Sequence, residues 1–186
     1  VIWHDTEASA CQSDPVQKDT RLLVVMRHAK AEAVGSSDLE RALTERGRED
    51  AGEAGRWLAE RGFVPDHALV SAAVRTRDTW QAVSAAAGWT VRPDLQEALY
   101  AAGPESAMDL IREFPAAART ALVLGHNPTV SYLAQLLSDG TGDPDVLARM
   151  AGGFPTASLT LFALDGGWDE LELGTARVEG FHVGRP

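Results

Sequence analysis

The chain is poor in cysteine, short of positive charge and without a long apolar run, and each shortage removes a class of protein. Cys11 is the only cysteine among 186 residues, which excludes an internal disulfide and a multi-cysteine zinc site and suits a reducing cytoplasm. Lys and Arg number 17 against 27 Asp and Glu, for a formal charge of -10. A general nucleic-acid binder neutralises phosphates with a basic face, so no nucleic-acid partner is expected. No apolar stretch reaches the length of a membrane span, and residues 1 to 20 alternate polar and apolar too often for a signal-peptide core. A soluble, cytoplasmic protein without a membrane partner is the expectation. With 45% hydrophobic residues the chain can bury one sizeable core and not two. One domain is therefore expected over 21–186, preceded by a tail or arm at 1–20 that Trp3 could anchor.

What the chain does have is a set of apolar runs that end in chemically capable residues. Leu22-Leu23-Val24-Val25-Met26 runs directly into Arg27-His28, and Ala121-Leu122-Val123-Leu124 into Gly125-His126-Asn127-Pro128. A third run, Ala68-Leu69-Val70, precedes Arg75 by about one helical turn. Open α/β sheets bind ligands at the carboxyl ends of their strands. Cations and imidazoles converging there predict an anion site, most simply for phosphate.

Helix signals lie between the runs. Thr44 suits the cap of a helix to about Arg61 with Gly62 as its stop, and a second helix carries Val74, Arg75, Trp80 and Val83 to Gly88. Residues 104–114 read as helical, with Pro115 closing them. Asn127 suits an N-cap and Pro128 the first position of a helix to about Ser138, and a short helix is expected near 146–150. A short strand is expected near 89–91, loops at 93–97 and 139–144, and a final hairpin of strands at 157–163 and 168–175 around Asp165-Gly166-Gly167. Strands alternating with helices, then a late hairpin, predict an α/β fold: a three-layer αβα sandwich with a mostly parallel central sheet and an antiparallel edge.

The stretch Arg27-His28-Ala29-Lys30 after a strand resembles the signature of the histidine phosphatase superfamily, the phosphoglycerate mutase-like fold, whose usual form is Arg-His-Gly. Gly125-His126-Asn127-Pro128 is similar to that family's second-histidine segment, and Ser71 to Thr79, with a Ser four before Arg75, to its second-arginine segment. The likeness runs through most of 21–176. Arg41-Ala42-Leu43-Thr44 and the short span from Glu97 to His126 resemble the SixA type of phosphohistidine phosphatase. That resemblance implies Arg41 as a further phosphate ligand, although Ala42 stands where that type carries proline, and it places Glu97 where many members carry an acidic proton donor. Ala29 stands where the family usually has glycine, so the backbone there must accept a β-carbon.

The chemistry of these residue types agrees with the implied activity. A neutral imidazole is a nucleophile near pH 7 and can carry a phosphoryl group, which makes His28 the expected nucleophile. Guanidinium forks match phosphate oxygens, the role expected of Arg27, Arg75 and Arg41. His126 is expected to donate to the phosphoryl group, and it or Glu97 to give the leaving group its proton. No cofactor is implied and no metal-ligand spacing is present, so metal-independent phosphatase chemistry is expected. The substrate is expected to be a phosphorylated protein carrying phosphohistidine. A small phosphorylated metabolite is the alternative, and a noncatalytic phosphate-binding module is the alternative from another class.

Overall fold

The computed structural model describes residues 20–184. Trp3, His4, Cys11 and the rest of 1–19 lie outside the described residues, and Thr20 already belongs to the first strand.

Seven strands form one sheet: β1 (Thr20–Arg27), β2 (His67–Ser71), β3 (Asp94–Gln96), β4 (Thr120–Gly125), β5 (Ser138–Gly142), β6 (Leu159–Asp165) and β7 (Ala176–His182). Their spatial order is β3-β2-β4-β1-β6-β7-β5. The first four run parallel, β6 is antiparallel to both β1 and β7, and β5 pairs parallel with β7.

Strand periodicity of two explains why both faces are covered. Leu23 and Val25 of β1 and Ala121 and Val123 of β4 enter one core; Val24 and Met26, and Leu122 and Leu124, enter the other. The second core is closed by α1 (Glu45–Glu60) and α2 (Val74–Ala87), through Ala51, Ala54, Leu58, Trp80 and Val83. A four-residue helix, α3 (Ala98–Ala101), follows β3. Closing the first core are α4 (Pro104–Arg112), α5 (Thr129–Leu137) and α6 (Pro144–Ala151), through Met108, Ile111, Val130, Leu133 and Met150. The αβα sandwich with a mostly parallel sheet is thus the observed fold.

Local chemistry sets the element ends. Thr44 caps α1 as expected, its hydroxyl accepting from Gly47 N at 2.9 Å. Helices α1 and α2 pack closely: a β-carbon on Gly55 would lie 2.4 Å from the Val83 carbonyl oxygen.

Four local expectations are corrected. The hairpin's second strand is not 168–175 but β7, because Trp168 plugs the core and donates its indole N–H to Ala118 O at 2.8 Å instead of pairing. Within 139–144, residues 139–142 belong to an edge strand and not a loop; Gly142 lies so near β7 that a β-carbon would meet Val178 O at 2.5 Å. Residues 94–96 pair with β2, whereas Trp89 is not in a strand and packs on Phe63 and Trp80. Asn127 does not cap α5: Pro128 holds the cap position after a cis Asn127–Pro128 bond, and the Asn127 amide donates to Phe154 O at 2.9 Å.

Candidate active site

The four parallel strands end side by side, and every residue singled out for chemistry except Arg41 lies at or just beyond those ends. Arg27 closes β1 and His28 follows it; His126 follows β4; Arg75 occupies the first turn of α2 after β2; Glu97 follows β3. Arg41 stands in the loop before α1.

His28 and His126 face each other with ring centroids 5.1 Å apart. The His28 Nδ1 lies 2.7 Å from the Ala29 carbonyl oxygen. A carbonyl only accepts, so Nδ1 carries the proton and the lone pair is on Nε2. Ala29 is fully buried, has no left-handed backbone, and donates its N–H to Thr79 Oγ1 at 3.0 Å, so its β-carbon is accommodated. Burial, opposed by the Ala29 hydrogen bond and reinforced by Arg75, Arg27 and Arg41, pushes the His28 pKa down to about 4. His28 is neutral at pH 7.

The second histidine is buried, with Nε2 2.8 Å from Ser71 Oγ. Burial first, then His28 and Arg75, push it down to about 3, with Asp38 opposing. A phosphate dianion beside it acts in the same direction as Asp38, towards protonation.

Arg27 donates to Phe154 O at 2.9 Å, the carbonyl that also receives Asn127, so the 152–157 loop ties the ends of β1 and β4 together. Arg75, 5% exposed, donates to Asp38 O at 2.7 Å and to Asp38 Oδ2 at 3.1 Å. Arg41 reaches the same carboxylate, Nε to Oδ1 at 2.9 Å and Nη2 to Oδ1 at 2.8 Å, and Glu32 O at 3.1 Å. Arg27 Nε, Arg75 Nε and His126 Nδ1 are buried without a hydrogen-bond partner. Buried polar groups are normally satisfied, so these three nitrogens leave the side chains around the two histidines with hydrogen-bonding capacity that the protein itself does not use.

Two residues here escaped the sequence reading. Asp38 also accepts from the Tyr100 hydroxyl, and that bond, with Arg41 and Arg75, holds its carboxyl down at about 2 despite partial desolvation. The Tyr100 ring centroid lies 5.3 Å from that of His126, the two rings near perpendicular, and 5.6 Å from the Arg75 guanidinium carbon. Nothing in the local sequence marks Tyr100; Asp38 gave one weak signal, its place three residues before Arg41.

Glu97 is exposed and lines a cavity of about 430 Å³ with Leu39, Glu40, Ala72 and Tyr100. Another cleft, of about 440 Å³, opens at the far end of β1 beside Thr20, Asp165 and Arg177, away from both histidines. Of the remaining described histidines, His67 packs edge-on against Phe114 and His182 stacks on Trp57. Among the described residues, no three His, Cys, Asp or Glu side chains gather as metal ligands, and no helix is long and apolar enough to cross a membrane.

Comparison with known proteins places this geometry. An uncharacterized protein of Mycobacterium tuberculosis is 38% identical over 162 residues, covering 86% of this chain and all of that one. A structure from Nakamurella multipartitia, assigned as a phosphohistidine phosphatase SixA, matches with a TM-score of 0.79 and 28% identity over 90% of this chain and 98% of that one. Its counterpart from Agrobacterium tumefaciens, with the same assignment, matches at 0.71 and 27% over 89% and 98%. The family model for the histidine phosphatase superfamily, branch 1, matches residues 23–122. That span begins in β1 and ends in β4, the strands that present the two histidines, and by it the chain belongs to the histidine phosphatase superfamily, on its SixA-type side.

Proposed function

We propose that this protein is a phosphatase that hydrolyses phosphohistidine on a protein substrate through a phosphohistidine of its own at His28. The observation that carries the reading is His28 itself: neutral, with its Nδ1–H fixed on Ala29 O, its Nε2 lone pair free, and three guanidiniums acting on it. Nε2 attacks phosphorus and the bond from phosphorus to the leaving group breaks. Arg27, Arg75 and Arg41 hold the phosphoryl oxygens as negative charge spreads over them. Glu97 gives its proton to the leaving group, and then as a carboxylate takes one from the water that attacks the phosphohistidine, returning His28 and free phosphate. His126 donates to a phosphoryl oxygen. The positive charge comes from arginine, so the scheme contains no metal.

The cavity beside Tyr100 supports a side-chain leaving group: Leu39, Ala72 and Tyr100 give it an apolar wall, and Glu97 on its rim supplies the proton with which the imidazole departs neutral. Turnover of a phosphohistidine peptide, a phosphoserine peptide and a panel of phosphorylated metabolites under one set of conditions tests the substrate class. The phosphohistidine peptide is expected to have the highest kcat/KM, and rapid acid-free quenching is expected to trap labelled enzyme that His28→Ala does not form. A metabolite turned over faster than both peptides overturns the protein substrate; phosphoenzyme on His28→Ala overturns the nucleophile.

A further inference from the structure

One carboxylate, Asp38, organises the cationic half of the site, and no role for it follows from the phosphoryl chemistry alone. Arg75 is held by two atoms of this residue, its main-chain oxygen and Oδ2; Arg41 grips Oδ1 with two nitrogens; the Tyr100 hydroxyl donates to Oδ2. The loop that carries Asp38 is itself pinned to the start of α2, where Val74 N donates to Leu39 O at 2.9 Å, and Glu40 N bonds Ser37 O at 3.2 Å. The carboxylate is therefore fixed relative to β2 and α2, the elements that deliver Arg75.

Stability does not explain the arrangement. The Asp38 side chain is 54% exposed, and ion pairs with an exposed partner contribute little to folding because water screens them. What the contacts do fix is direction. With both terminal nitrogens of Arg75 bonded to Asp38, its guanidinium cannot rotate, and the Nε edge is left without a partner. Tyr100, held by the same carboxylate, is placed edge-on against His126, so one anion aligns residues from the β1–α1 loop, α2 and α3 around the two histidines.

We propose that Asp38 is the positioning residue of the phosphate pocket, a permanent anion at its edge that sets the orientation of Arg75 and Arg41 and ties Tyr100 across the site. The inference rests on the phosphatase reading above. Asp38 also trims the charge of the pocket, since three guanidiniums less one carboxylate match the two negative charges of a phosphoryl dianion. Removing its charge thus has opposed effects on simple anion binding, a looser geometry against a more positive pocket. Transition-state stabilisation depends on geometry and has no such compensation.

The experiment measures 4-nitrophenyl phosphate turnover and tungstate affinity for the wild type, Asp38→Asn, Arg75→Ala and the double variant. Asp38→Asn is expected to lower kcat by about tenfold or more while the tungstate Kd moves less than about threefold. On top of Arg75→Ala, the same substitution is expected to cost clearly less than it does in the wild type, because one of the two guanidiniums it positions is gone while Arg41 and Tyr100 remain. The thermal midpoint is expected to be unchanged. A kcat within about twofold of wild type, losses that multiply in the double variant, or a drop in midpoint parallel to the drop in activity each overturn the positioning role. A wild type that neither turns over the ester nor binds tungstate overturns the phosphatase reading, and this inference with it.

Discussion

A histidine that titrates near 4 in place of 6.5 keeps its lone pair through the whole neutral range, which is what a nucleophile requires. Below that value His28, the proposed nucleophile, becomes an imidazolium with nothing to give to phosphorus. The acid limb of kcat/KM is therefore expected near pH 4, since that quantity reports the free enzyme's groups. Arg75 contributes to the depression, so Arg75→Ala should lose activity by roughly two orders of magnitude, the scale of one preorganised donor, and also move the limb upward. A pH–rate series on both proteins with a small ester checks this. A limb near 6.5 in the wild type would mean that burial and the arginines do not act on His28 as the geometry requires.

At the scale of elements, the site depends on how closely α1 approaches α2 and the segment that follows His28. Gly47 lets the first turn of α1 pass over the Lys30 carbonyl, where a β-carbon would come within 2.1 Å, and Gly55 permits the contact with the Val83 carbonyl. Neither glycine has a left-handed backbone; both serve close approach. Gly55→Ala must push α1 off α2 and is expected to destabilise the fold by about 1–3 kcal/mol, as overpacking does. For a chain of this size that lowers the thermal midpoint by roughly 2–4 °C per kcal/mol. Thermal unfolding read by calorimetry or circular dichroism measures it, and an unchanged midpoint would show that the helix pair can part without cost.

Across the whole molecule the histidines act in concert. All four described ones, His28, His67, His126 and His182, have pKa values lowered first by burial. A group depressed on folding binds fewer protons in the native than in the unfolded chain between its two pKa values, so its stabilisation is complete above the unfolded pKa and is lost as pH falls through the folded one. For His28 that window runs from 6.5 down to about 4. Each proton of difference tilts stability by about 1.4 kcal/mol per pH unit. The molecule is thus expected to lose stability steadily from pH 6.5 to 4 at constant ionic strength, before the depressed carboxyl of Asp66 takes up its proton. A flat unfolding free energy across that window would contradict the burial of these imidazoles.

The sequence by itself determined the elements whose signal is local. Apolar runs fixed β1, β2 and β4, Thr44 fixed the start of α1, and Arg27, His28, Arg75 and His126 were legible because each lies at or just beyond the end of such a run. It misplaced the second hairpin strand because Trp168 is apolar for reasons of core filling rather than pairing, and it took the β5 segment for loop because an edge strand of Ser, Asp, Gly and Thr carries no apolar signal. Asp38 and Tyr100 lie 62 positions apart, and no spacing rule joins them. Only the packing of the β1–α1 loop against α2 and α3 brings that carboxylate to Arg75 and that phenol to His126. Contacts of this kind depend on where the sheet sends the chain, not on which residues are neighbours within it.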